Sequence, residues 1–164
     1  MLALGVDPGT ETTGYAIVEE DETGFLRALK YGVIKTNHSE SAEKRLQIIF
    51  KEMSEIINLH RPQTGAVEKL FFQKNVTTAL AVGQARGVIL LAMAEAGVEI
   101  AEYSPQEVKM AVTGYGAAEK KQVQVMVQTM LALNELPKPD DAADALAIAI
   151  CHLHSIGYKK RLAQ

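Results

Sequence analysis

Four carboxylates occupy positions that a core-forming sequence does not need charged. Asp7 closes the run Leu2 to Val6, otherwise apolar or glycine, just before Pro8-Gly9. Glu68 ends the equally apolar run Gly65 to Val67. Asp141 and Asp144 stand three residues apart, a spacing that puts both on one face of a helix. The residues behind them, Ala145 to Ile150, are apolar nearly all round, so that helix must be buried and its start must point into the protein. Gathering ionised carboxylates in a partly buried site is costly in repulsion and desolvation, and a divalent cation offsets both. Oxygen donors without a Cys or His pair select Mg2+ or Mn2+ over zinc. Two such ions about 3.5–4 Å apart activate water and stabilise the leaving oxygen of a phosphodiester. Each acid alone also has an ordinary role: Asp7 in a turn, Asp141 as a helix cap, Asp144 as a complement to the helix dipole, Glu68 as surface charge beside Lys69. The joint placement is what singles them out.

The elements that must position these acids follow from periodicity. Leu2 to Val6, Tyr15 to Val18 and Phe25 to Thr36 read as strands separated by Gly and charged residues, which suits antiparallel hairpins. Ser41 reads as the cap of a helix whose apolar face runs from Ala42 through Leu46, Ile49, Phe50, Met53, Ile56 and Ile57 to an end near Arg61-Pro62. A short buried strand ends at Glu68. Thr77 to Ala96 reads as a helix rich in small residues, stopped by Gly97, and Val98 to Tyr103 as a fifth strand. Pro105 opens a short helix that ends before Gly114-Tyr115-Gly116. Further helices are expected over Ala117 to Leu133 and Ala142 to His154, the last capped by Asp140 or Asp141. The order β-β-β-α-β-α-β-α-α-α gives an α/β fold, a mixed sheet flanked by helices. Gly14, with Thr10, Thr12 and Thr13 around it, reads as a place where a phosphate or metal approaches the backbone closely.

Composition bounds the function classes. The chain has 164 residues, 48% hydrophobic and 23% charged, which suits one globular domain. We expect that domain over 1–157 and a short basic tail over 158–164. Cys151 is the one cysteine, so an internal disulfide framework and a Cys-rich zinc module are excluded. The start carries no signal-peptide pattern, and the longest apolar stretch, Gly87 to Ala94, is well short of the ~20 residues of a membrane span. A soluble, cytoplasmic protein without membrane contact is expected. The formal net charge is −3. Residues 69–94 nevertheless hold Lys69, Lys74 and Arg86 and no acid, so a basic face for nucleic acid is permitted.

The blocks GVDPGTETTGYAIVE, AVEKLFFQKN with NVTTALAVGQARG, YSPQEVKMAVTGYGAAEKKQVQ and DDAADALAIAICH resemble the RuvC family of Holliday-junction resolvases, in order and over essentially the whole chain. The resemblance implies a ribonuclease-H-like fold with a five-stranded mixed sheet ordered 3-2-1-4-5 and helices on both faces. It implies metal-dependent endonucleolytic resolution of four-way DNA junctions by a homodimer that nicks two strands of like polarity, leaving 5′-phosphate and 3′-hydroxyl ends. It places the chain in recombination and repair beside the RuvA–RuvB branch-migration complex. The family's metal-binding acids fall on Asp7, Glu68, Asp141 and Asp144, with Asp140 leaving some ambiguity of register. Mg2+, replaceable by Mn2+, is the implied cofactor, two ions per site.

The family's junction-facing aromatic matches Phe71, with Phe72 beside it, and its DNA-contacting lysines match Lys109 and Lys120. Phe71-Phe72-Gln73-Lys74-Asn75 reads as a loop in which one Phe stacks on an unpaired base and Lys74 adds charge, while the other Phe could equally be core. Lys109, Lys120 and Lys121 flank Gly114-Tyr115-Gly116, where phosphate contacts would position DNA without reading its sequence. Three other classes compete: an ATP-using enzyme of the sugar-kinase and actin type, a junction-binding module without catalysis, and a related nuclease acting on RNA or other DNA. The first needs two related domains closing over a nucleotide, more than this length supplies.

Overall fold

The computed structural model describes residues 1–70 and 76–162. Its strands are β1 (Leu2–Asp7), β2 (Thr12–Glu20), β3 (Leu26–Lys35), β4 (Thr64–Glu68) and β5 (Glu99–Tyr103). Its helices are α1 (Ala42–His60), α2 (Val76–Glu95), α3 (Pro105–Thr113), α4 (Lys120–Met130) and α5 (Asp140–Leu162). The strands form one mixed sheet in the order β3-β2-β1-β4-β5, as the resemblance implies. β1, β2 and β3 pair antiparallel, and β4 runs parallel to both β1 and β5.

Strand alternation sends side chains to two cores. Leu4, Val6, Ile17 and Val67 face α1 and α2, where Ile49, Met53, Ile89 and Met93 are fully buried. Ala3, Ala16, Val18 and Ala66 face the other way, toward α3, α4 and α5. On that side the strand residues are small because α5 lies almost on the sheet. A Cβ on Gly5 would overlap the Ala145 carbonyl oxygen, and one on Gly14 would overlap the Asp141 carbonyl oxygen. Gly14 serves close packing of the helix: the space its missing side chain leaves is filled by α5 backbone rather than left open to a ligand.

Several element boundaries differ from expectation. α4 starts at Lys120, three residues late, because Glu119 takes the cap position and Gln122 Oε1 accepts from its amide. α5 already includes Asp140, so neither Asp140 nor Asp141 is its cap. It also continues beyond His154 to Leu162, so the expected basic tail begins inside the helix. Ser104 caps α3 in a reciprocal capping box with Glu107, and Gly114 closes that helix in the left-handed region at φ 75°. By length and composition alone, Thr78–Glu95 of α2 could cross a membrane, although no single apolar run in it is that long. In the fold it packs against α1 and β5, with Ala85, Ile89, Ala92 and Met93 in the core.

Candidate active site

Parallel pairing brings the first two acids together. The β1–β4 register ends at Val6↔Val67, so Asp7 and Glu68 are the next residues on adjacent strands. Antiparallel pairing places Gly14 opposite Asp7, and Asp141 rests on Gly14. The bare glycine thus seats the start of α5 beside the end of β1. Asp144, one turn on, faces the same cleft as Glu68. That cleft, about 230 Å³, is also lined by Pro105, Lys109, Lys120 and Ala147.

The electrostatics show how the acids feel one another. Burial pushes Asp7 up to about 8, helped by the negative charges of Glu68, Asp144 and Asp141, with Lys120 opposing. Glu68 is raised by burial and by Asp144. Asp144 is raised by burial, even though Lys120 pulls against it. The Lys120 ammonium lies 3.2 Å from carboxylate oxygens of both Asp140 and Asp144. Asp140 is exposed and held low by hydrogen bonds from Lys120 and Gln124. It faces α4, whereas Asp141 adds its charge to the field at Asp7. Among the described residues, no three of these acids already stand close enough to form a finished ligand shell. The donor set nevertheless fits a hard dication: all oxygen, mutually repulsive, and with Lys120, among the described residues, the cation opposing the rise at Asp7.

The family model for crossover junction endodeoxyribonuclease RuvC matches residues 3–152. The chain belongs to the RuvC family. A RuvC from Heliobacterium modesticaldum is 57% identical over 156 residues, 95% of this chain and 96% of that protein. One from Moorella thermoacetica is 54% identical over 161 residues, 98% of this chain and 96% of the relative. Thermus thermophilus RuvC, solved in complex with a Holliday junction substrate, superposes with TM-score 0.92 at 38% identity, covering 97% of this chain and 96% of that chain. The fold alone extends to the yeast mitochondrial Holliday junction resolvase Ydc2, with TM-score 0.65 at 14% identity, covering 98% of this chain and 85% of that one. The sheet is therefore that of the RuvC proteins, ribonuclease-H-like as expected.

Within this RuvC frame the remaining sequence-derived site residues divide. Lys109 and Lys120 reach the cleft. Lys121 does not; it is exposed and lines a separate hollow with Tyr115 and Glu119. Phe71, Phe72 and Lys74 lie outside the described residues. Of the bases noted over 69–94, the two described ones have acidic neighbours, Lys69 with Glu107 and Arg86 with Glu102. The pairing of Lys120 with Asp140 and Asp144 is not legible in the sequence. Its partners come from another helix, so no local spacing signals them. His152, expected to be a packing or surface residue, is buried and bonded: Thr64 Oγ1 is 2.6 Å from its Nε2 and the Tyr103 hydroxyl 3.1 Å from its Nδ1.

Proposed function

We propose that this chain resolves four-way DNA junctions by hydrolysing phosphodiesters in paired nicks, with Asp7, Glu68, Asp141 and Asp144 as its catalytic and metal-binding acids. One observation carries the residue assignment: burial and three neighbouring carboxylates drive Asp7 to about 8, a penalty that a stable fold retains for function. Mg2+ is the cofactor these oxygens suit, with Mn2+ as substitute and two ions per site. When bound, such ions lower the pKa of water and take up charge on the leaving oxygen. Asp7, which feels the charges of Glu68 and the α5 acids, would be among the residues that hold such ions.

The cations of the chain do the complementary work. Lys109 holds a DNA phosphate at the cleft wall. Lys120, bonded to Asp140 and Asp144 at the cleft, would offer its ammonium to a second phosphate. Phosphate contacts of this kind orient the backbone without selecting sequence. Lys121 and Lys74 add charge at the margins, and one of Phe71 and Phe72 stacks on an unpaired base at the crossover. A cytoplasmic setting and cooperation with RuvA–RuvB are part of the same reading. It is tested by incubating the protein with four-way junction, linear duplex and RNA–DNA hybrid in Mg2+. Symmetric paired nicks confined to the junction are expected. Equal cutting of duplex or hybrid, or none of the junction, overturns it.

A homodimer follows from two equivalent cuts. α2 offers the surface: only 22% of Thr78–Glu95 is buried, and Leu80, Gln84, Gly87 and Leu91 form one exposed face at helical spacing. Leu80 and Leu91 are 62% and 52% exposed, so this stripe has apolar area to cover. Leu91→Glu is expected to weaken self-association at least about tenfold in sedimentation equilibrium, since it places two charges in an apolar contact. Paired nicking should fall with it. A variant that stays dimeric moves the interface elsewhere.

A further inference from the structure

Arg86 is the only basic residue between Val76 and Glu95, and its side chain turns inward, 17% exposed. One guanidinium nitrogen lies 2.5 Å from Glu102 Oε1 on β5. Its Nε donates a long bond, 3.4 Å, to the main-chain carbonyl of Glu68. The next amide, on Lys69, donates to the Tyr103 carbonyl at 2.8 Å. The Glu68 carbonyl and the Lys69 amide belong to one planar peptide unit, so α2 and β5 grip its two ends. On its other side β4 has already lost its partner, because β1 pairing stops at Val67. The orientation of that plane fixes ψ at Glu68 and with it the direction in which the carboxylate leaves the backbone. The upward shift of the Glu68 carboxylate comes from burial and Asp144.

We propose that Arg86, oriented by Glu102, is a positioning residue for the cleavage reaction, holding the peptide plane after Glu68 so that its carboxylate faces Asp7. The inference rests on Glu68 being a metal-binding acid. An ordinary stabilising ion pair would change thermal stability and leave metal affinity alone; a positioning residue changes metal affinity in the folded protein. The full chain is therefore compared with Arg86→Met, Arg86→Lys, Glu102→Gln and Glu68→Gln. The readouts are Mn2+ binding by calorimetry without DNA, junction affinity in chelator, single-turnover cleavage and thermal midpoint. Arg86→Met is expected to weaken Mn2+ about tenfold and slow cleavage about 10–100-fold, with junction affinity within about twofold. Arg86→Lys recovers part of both, because an ammonium reaches the carbonyl or Glu102 but lacks the fork that spans them. Glu102→Gln keeps the guanidinium and weakens Mn2+ by about two- to fivefold, which serves if Arg86→Met does not fold. Wild-type Mn2+ affinity in the folded Arg86→Met variant, or in Glu102→Gln where the former is unfolded, overturns the proposal. Wild-type cleavage by Glu68→Gln instead removes the assignment of Glu68 on which it rests.

Discussion

Asp7→Asn is expected to lower single-turnover junction cleavage at least about 10³-fold while junction affinity in chelator stays within about twofold. Asp7 stands at the meeting of two acid groups, with Glu68 on the neighbouring strand and the α5 acids over Gly14. Asparagine keeps the shape and one oxygen but removes the negative charge proposed to hold a dication. Binding should survive because the phosphate contacts proposed for Lys109 and Lys120, which line the cleft from α3 and α4, are left in place by the change. Loss of a negative charge near a polyanion favours binding slightly, so an affinity above wild type is consistent. Quenched-flow cleavage and electrophoretic binding on the same junction make the measurement. Undiminished nicking by Asp7→Asn in Mg2+ removes Asp7 from the chemistry.

The sheet is legible in the sequence because β1, β2 and β4 each hold a short apolar run bounded by turn or charged residues, and Asp7 and Glu68 are legible because they end two of those runs. Asp7 and Glu68 are brought side by side only by the family's strand order, since periodicity says nothing about which parallel strands adjoin. The α5 acids read as a face, but their meeting with Asp7 depends on Gly5 and Gly14 admitting a helix backbone, and glycines at strand positions carry several meanings. A glycine that admits a ligand and one that admits a helix look the same in sequence, which is why Gly14 reads as a ligand approach. The apolar run of α5 stops near His154, although helical hydrogen bonding continues through Leu162, so periodicity ends the helix too early. Arg86 and Lys120 show the limit most clearly. Both read as surface charge toward DNA, and both find carboxylates contributed by distant segments.

Without a dication, the protein is expected to lose about 2 kcal/mol of stability between about pH 6.5 and about pH 8. Asp7 rises from 3.8 to about 8 on folding, so between those values the folded state holds a proton that the unfolded state has released. Stability from a raised acid is fully present below the unfolded value and is lost as pH climbs toward the folded one. Glu68 and Asp144 are raised as well and act in the same direction. His152 acts oppositely: its imidazole is held down to about 4 by burial, so it favours the folded state as pH rises, but only up to its ordinary value of 6.5. A window that starts at that point leaves the carboxylates dominant. For a chain of this length the loss corresponds to a fall of roughly 4–8 °C in thermal midpoint, measured by calorimetry in chelator. Asp7→Asn, which mimics the protonated acid, should flatten the dependence and raise the midpoint near pH 8. Excess Mg2+ should stabilise the wild-type protein more at the upper end of the window than at the lower, because binding requires the protons to leave. A midpoint in chelator that holds steady or rises across the window, with Asp7→Asn no more stable than wild type, would show that the four carboxylates do not share one buried field.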